Sequence, residues 1–142
     1  MLEQGDSIPE FEVQNHEGQT VKSSDIEEAI IYFYPKAGTP GCTKEACNFR
    51  DSMKDLEDAG MIVYGVSTDS VKAQKNFHKK QDLNFDLLAD DDKSLTRGFG
   101  VKSKLGVSKR VTFIVREGKI EKVFDKVNPS DHIEEVLEYV KS

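Results

Sequence analysis

The stretch Ala29-Ile30-Ile31-Tyr32-Phe33-Tyr34-Pro35-Lys36-Ala37-Gly38-Thr39-Pro40-Gly41-Cys42 decides the fold. It opens with a continuous β-branched and aromatic run, the pattern of a strand buried on both faces of a sheet. A turn-forming segment follows. Thr39 is a natural N-cap and Pro40 a natural first helical residue. Beyond them Ala46, Phe49, Met53 and Leu56 recur at three- and four-residue steps and Gly60 closes the run, which predicts a helix. Met61 to Ser67 then reads as a second buried strand, so the chain makes a β-α-β unit with a parallel strand pair.

Outward from this unit the pattern continues. Ser70 to Lys80 reads as a helix with Val71 and Phe77 inward, followed by a linking segment through Phe85 and Leu87-Leu88 and a short helix from Ser94 to Phe99. Val111 to Val115 and Lys119 to Phe124 are strands joined at Glu117-Gly118, a hairpin signal. Asn128-Pro129 is expected to cap a last helix with Ile133, Val136, Leu137 and Val140 on one face. Toward the N-terminus, Phe11 to Gln14 and Thr20 to Lys22 read as short strands around Glu17-Gly18. The sum is an α/β chain of thioredoxin-like fold, with a mixed central β-sheet flanked by helices and an N-terminal β-hairpin extension. In open α/β sheets ligands sit at the carboxyl ends of strands, and Pro35 to Cys47 leaves such an end.

The 142 residues are expected to form one domain, 1–142, which buries roughly 70% of its unfolded-chain surface. The net charge of −6 argues against a nucleic-acid partner, which calls for a basic stripe. Met1 to Phe11 carries Glu3, Asp6 and Glu10 where a secretory signal has a basic start and an apolar run. The longest apolar stretch, Ala29 to Tyr34, is far too short for a membrane span. A cytoplasmic location with no membrane association is therefore expected.

Two cysteines, Cys42 and Cys47, lie in this cytosolic-type chain, where a structural disulfide is unusual. Two cysteines make half a zinc site, and His16, His78 and His132 show no paired spacing, so no metal or other cofactor is expected. Redox chemistry and two ordinary buried thiols both stay open on composition. Position favours the first. Cys42 falls in the first turn of the predicted helix, where unpaired amides and the helix dipole favour a thiolate. The Thr39 hydroxyl can reach a substrate oxygen or that thiolate. Cys47 lies about 100° from Ala46, off the centre of the apolar stripe, as an accessible thiol would. Cα atoms five apart on a helix are roughly 8–9 Å distant, whereas a disulfide needs about 7 Å or less. A Cys42–Cys47 bond would require the helix to open.

Pro35, Thr39 and Cys42 have the Pro-x3-Thr-x2-Cys spacing of the peroxiredoxins. The run Thr39-Pro40-Gly41-Cys42-Thr43 through Cys47, with Phe49-Arg50-Asp51 after it, resembles the bacterioferritin-comigratory-protein branch, also called peroxiredoxin Q. Gly65-Val66-Ser67-Thr68-Asp69-Ser70, Leu87-Leu88-Ala89-Asp90 and Arg110-Val111-Thr112-Phe113-Ile114 extend the likeness over nearly the whole chain.

That resemblance implies a thiol-dependent peroxidase acting on hydrogen peroxide and organic hydroperoxides. It implies Cys42 as the peroxidatic nucleophile, oxidised to a sulfenic acid, and Cys47 as the resolving thiol that forms an intramolecular disulfide. Thr39 would bind the peroxide, Arg110 would stabilise the thiolate and the leaving oxygen, and Pro35 would shield the thiolate from water. Electrons would come from thioredoxin or a similar dithiol protein, and the chain would be a monomer or a weak homodimer. Glu45 is expected either to favour the helix dipole or to hold the site's hydrogen bonds. A general thiol–disulfide oxidoreductase is the nearest rival, but it calls for Cys-x-x-Cys where this chain has Cys-x4-Cys. A redox-sensing binding protein is a further alternative.

Overall fold

A computed structural model describes all 142 residues. In chain order it contains β1 (Glu12–Asn15), β2 (Thr20–Lys22), β3 (Ala29–Phe33), α1 (Pro40–Asp51), α2 (Met53–Asp58), β4 (Ile62–Ser67), α3 (Val71–Lys80), β5 (Asp86–Ala89), α4 (Ser94–Gly98), β6 (Val111–Arg116), β7 (Lys119–Phe124) and α5 (His132–Lys141). The seven strands form one sheet in the order β2-β1-β5-β4-β3-β6-β7. The centre, β5-β4-β3, is parallel, and both flanks are antiparallel. This is the expected mixed sheet, with the N-terminal hairpin extending it beyond β5.

All five residues of β3 are buried. Successive side chains of a strand point to opposite faces, so Ile30 and Tyr32 enter one core with Val63, Leu87 and Ile114 under α1, α2, α3 and α5. Ala29, Ile31 and Phe33 enter the other with Val66, Leu88, Phe99 and Phe113. The register pairs Phe33 with Val111 across the antiparallel β3–β6 edge. The residue before Val111 is Arg110, so the start of β6 lies beside the carboxyl end of β3, where α1 begins.

Three sequence expectations are corrected. Residues 86–89 form a strand, not a link. Leu87 and Leu88 are each fully buried, one in each core, and β5 pairs parallel with β4 and antiparallel with β1. A central strand of four residues leaves too short a run to announce itself. The helix after Pro40 is two helices, broken at Ser52 (φ −107°, ψ 6°). The apolar spacing runs through the break because Met53 and Leu56 still reach the same core as Phe49. The last helix begins at His132, not next to Pro129. Asn128 instead folds a turn: its side chain accepts from the Ser130 amide at 3.0 Å and its carbonyl from the His132 amide at 2.9 Å, a local bond that competes with helix. Smaller shifts move β1 to Glu12–Asn15, and within α3 the fully buried side chains are Gln74 and Phe77, with Val71 half-buried. The β6–β7 turn is as expected, with Glu117 and Gly118 at φ 53° and 72°.

Gly65 lies in β4 between Tyr32 of β3 and Leu87 of β5. A Cβ there would sit 2.9 Å from the Tyr32 hydroxyl and ring and 2.9 Å from Leu87 Cδ2. Gly65→Ala is expected to cost about 1–3 kcal/mol by overpacking, seen as a lower urea midpoint; an unchanged midpoint would show that Tyr32 can move aside.

Candidate active site

Thr39 is in extended backbone (φ −78°, ψ 154°) and Pro40 starts the helix. The Thr39 carbonyl accepts the Thr43 amide at 2.9 Å. Its hydroxyl does not cap the helix as expected. It donates to the Lys36 carbonyl at 2.8 Å, closing the 36–39 turn. The turn is fixed from a second side: the Ala37 amide donates to Asp69 Oδ2 at 2.8 Å, and Asp69 also accepts from Ser67 Oγ at 2.7 Å. Buried Gln74 donates to Ser67 Oγ at 2.9 Å and accepts from the Tyr34 hydroxyl at 2.6 Å. A chain of hydrogen bonds therefore runs from α3 through β4 to the turn carrying Thr39.

Cys42 is 1% exposed. Helix geometry leaves the amides of this first turn without intrahelical acceptors. Glu45, one turn on, lies on the same face and is equally buried. Arg110 reaches both with one fork: Nη1 donates to Glu45 Oε1 at 2.7 Å and Nη2 to Cys42 Sγ at 3.3 Å. Gly41 makes room for it, since a Cβ there would meet Nη2 at 3.3 Å and Pro129 Cγ at 3.5 Å.

The electrostatics follow from burial. Desolvation pushes the Glu45 carboxyl up to about 7, against the downward pull of Arg110, and its Oε2 is buried without a partner. Burial alone would lower the Arg110 guanidinium, but Glu45 and Cys42 outweigh it and leave it raised. His132 is held neutral: burial, with help from Arg110, drives it down to about 4. Its Nε2 meets Thr112 Oγ1 at 2.7 Å.

Thr39, Cys42 and Arg110 thus come together at the head of α1, with Pro35 half-buried between β3 and the turn. Cys47 is apart from them, half-buried further along α1, its thiol 3.5 Å from Gln81 Oε1. Both thiols are free on an unbroken helix. Residues missed in the sequence are Asp69, Gln74 and His132, whose side chains are polar yet tied into the surroundings of the site.

The AhpC/TSA family model matches residues 4–123 of this chain. The chain belongs to the AhpC/TSA family. It is similar to peroxiredoxin Bcp of Escherichia coli (strain K12), 41% identical over 150 aligned positions that cover 99% of this chain and 96% of that one. Peroxidoxin BcpB from Mycobacterium tuberculosis superposes with a TM-score of 0.91 at 31% identity, covering 99% and 97% of the two chains. The bacterioferritin comigratory protein of Xanthomonas campestris, studied for its alkyl peroxide reduction activity, gives 0.87 at 33% identity, covering 92% and 90%. This peroxiredoxin is of the Bcp/peroxiredoxin Q type and is a thiol-dependent peroxidase.

The buried carboxyl gives the peroxiredoxin a measurable pH signature. Glu45 holds its proton more tightly folded (about 7 against 4.5). Its contribution to stability is fully present below about pH 4.5 and is lost as pH rises through about 7. Glu45→Gln is expected to remove that loss, so the stability difference between variant and wild type should shift in the variant's favour from pH 5 to pH 8. A pH-independent difference would mean that Arg110 holds Glu45 ionised throughout.

Proposed function

We propose that Cys42 attacks hydrogen peroxide and organic hydroperoxides and that Cys47 resolves the product. The observation that carries this reading is the 3.3 Å contact from Arg110 Nη2 to Cys42 Sγ at the first turn of α1. A charged donor there suits a sulfur nucleophile and the charge that moves across it during attack. The sulfur attacks the terminal peroxide oxygen, the O–O bond breaks and Cys42 becomes a sulfenic acid, while the leaving hydroxide or alkoxide takes up the proton that the thiol gave up and departs as water or an alcohol. The second face of the same guanidinium and the free amides of the helix start suit the charge that develops on the leaving oxygen.

Thr39 fits the role of peroxide binder in a specific sense. Its hydroxyl hydrogen goes to Lys36 O, so its oxygen is left to accept the O–H of a hydroperoxide. Pro35 supplies an apolar wall without a backbone donor beside the thiol. In the second half-cycle the Cys47 thiolate displaces hydroxide from the sulfenic acid, giving the disulfide of an atypical 2-Cys peroxidase. Helix geometry requires α1 to open first. A dithiol protein of the thioredoxin kind then reduces the disulfide by exchange. We further infer that residues 1–142 act as one domain, as a monomer or weak homodimer, in the cytoplasm, where such a donor keeps thiols reduced.

Stopped-flow mixing of reduced protein with hydrogen peroxide tests the first step. Cys42→Ser is expected to lose the fast reaction entirely, and a wild-type rate would sink the mechanism. Arg110→Ala should slow it about 100-fold or more, and an unchanged rate would remove Arg110 from the site. Intact mass tests the second step: Cys47→Ser should accumulate sulfenic and then sulfinic acid, and an intramolecular disulfide in that variant would contradict the assignment.

A further inference from the structure

The part of α1 that carries Cys47 is fastened from outside. On a helix, Cys47 points about 140° away from Cys42. There its thiol donates to Gln81 Oε1 at 3.5 Å. One turn on, Arg50 Nη1 donates to the Gln81 carbonyl at 2.7 Å, while Arg50 Nε pairs with Asp51 at 2.9 Å. Asn84 Nδ2 returns a bond to the Arg50 carbonyl at 3.2 Å. Three contacts therefore tie the second half of α1 to residues 81–84, the turn between α3 and β5.

That turn is itself firmly built. The Gln81 amide caps α3 on Phe77 O at 3.1 Å, and the Leu83 amide returns to His78 O at 3.0 Å. Asp82 between them is left-handed, at φ 49°, the geometry of a closed helix end. Leu83 and Phe85 on either side of Asn84 are buried in the core. The turn is a fixed post and the end of α1 is what can leave it.

We propose that the 81–84 turn is a latch on the resolving half of α1, with Gln81 and Arg50 as positioning residues that set how fast Cys47 reaches oxidised Cys42. The proposal rests on the two-cysteine cycle above. In the gated step the Cys47 sulfur bonds to the Cys42 sulfur, the S–O bond of the sulfenic acid breaks, and the departing hydroxide takes the Cys47 proton as water. No outside oxidant or reductant enters. While the latch holds, the sulfenic acid persists and a second peroxide can oxidise it to the sulfinic acid. Latch strength therefore sets the balance between disulfide and over-oxidation. Of the contacts, the Arg50 bond carries charge and is the stronger, and the thiol bond is the weaker.

The test is rapid mixing with hydrogen peroxide, followed by quenched intact-mass analysis, on Gln81→Leu, Arg50→Met and the wild type. Gln81→Leu should form the disulfide about 3-fold faster and Arg50→Met about 10-fold faster, each with less sulfinic acid at high peroxide and an unchanged rate of sulfenic acid formation. Val21→Ala, in the distant hairpin, is the control for general loosening and should leave the disulfide rate alone. Unchanged disulfide rates in both latch variants overturn the proposal, as does an equal acceleration in Val21→Ala or a parallel change in the first step. If the wild type forms no intramolecular disulfide, the two-cysteine cycle itself fails. If it forms one at a rate indifferent to these variants, only the latch fails.

Discussion

One guanidinium, that of Arg110, answers two buried groups at once. Glu45 alone would be a carboxyl taken out of water with one oxygen unpartnered, and burial does drive it toward its neutral form. Cys42 alone would be a core thiol. Arg110 between them reaches both, with Nη1 on the carboxylate and Nη2 on the sulfur. A buried ion pair is a weak source of stability because desolvation offsets its attraction. Its use here is geometric: the 2.7 Å bond to Glu45 fixes the plane of the fork, and the fixed plane aims the other nitrogen at sulfur. The sheet supplies the rest, since only the antiparallel pairing of Phe33 with Val111 places the residue before β6 next to the residues after β3.

The two cysteines mark opposite mechanical demands on one helix. The first turn carries Cys42, with the free amides of a helix start and the Arg110 contact around its sulfur. In the proposed cycle the helix between Cys42 and Cys47 has to open, because a helix keeps its fifth neighbour too far away for a disulfide. At its C-terminal end α1 breaks at Ser52, and the 81–84 turn holds its second half through Cys47 and Arg50. The polar chain Tyr34–Gln74–Ser67–Asp69–Ala37 stiffens the other end. The two ends of α1 are thus held by different neighbours, β4 and α3 at the head and the 81–84 turn at the tail.

What the sequence disclosed was mostly local. The apolar run of β3, Thr39-Pro40 at a helix start, the Glu117-Gly118 turn and the cysteine spacing carry their meaning within a few residues. Leu87-Leu88 did not, because a short central strand is defined by the strands on either side of it. Asn128 misled because the same residue type starts helices and closes Asx turns. Arg110 entered through family likeness alone. Nothing around it states that it will meet a thiol 68 positions earlier. The role of Glu45 was half legible: its three-residue step from Cys42 put both on one helix face, but its partner lay beyond any local pattern. Asp69 and Gln74 were silent for the same reason.

The distance in sequence between Cys42 and Arg110 has a meaning for a chain still being made. Cys42 and its helix leave the ribosome early, but the arginine and the strand that delivers it come in the last third of the protein. Until β6 docks beside β3, the thiol lacks its charged neighbour. The pairing of guanidinium and sulfur is therefore a property of the completed sheet, and a nascent chain carries Cys42 without it.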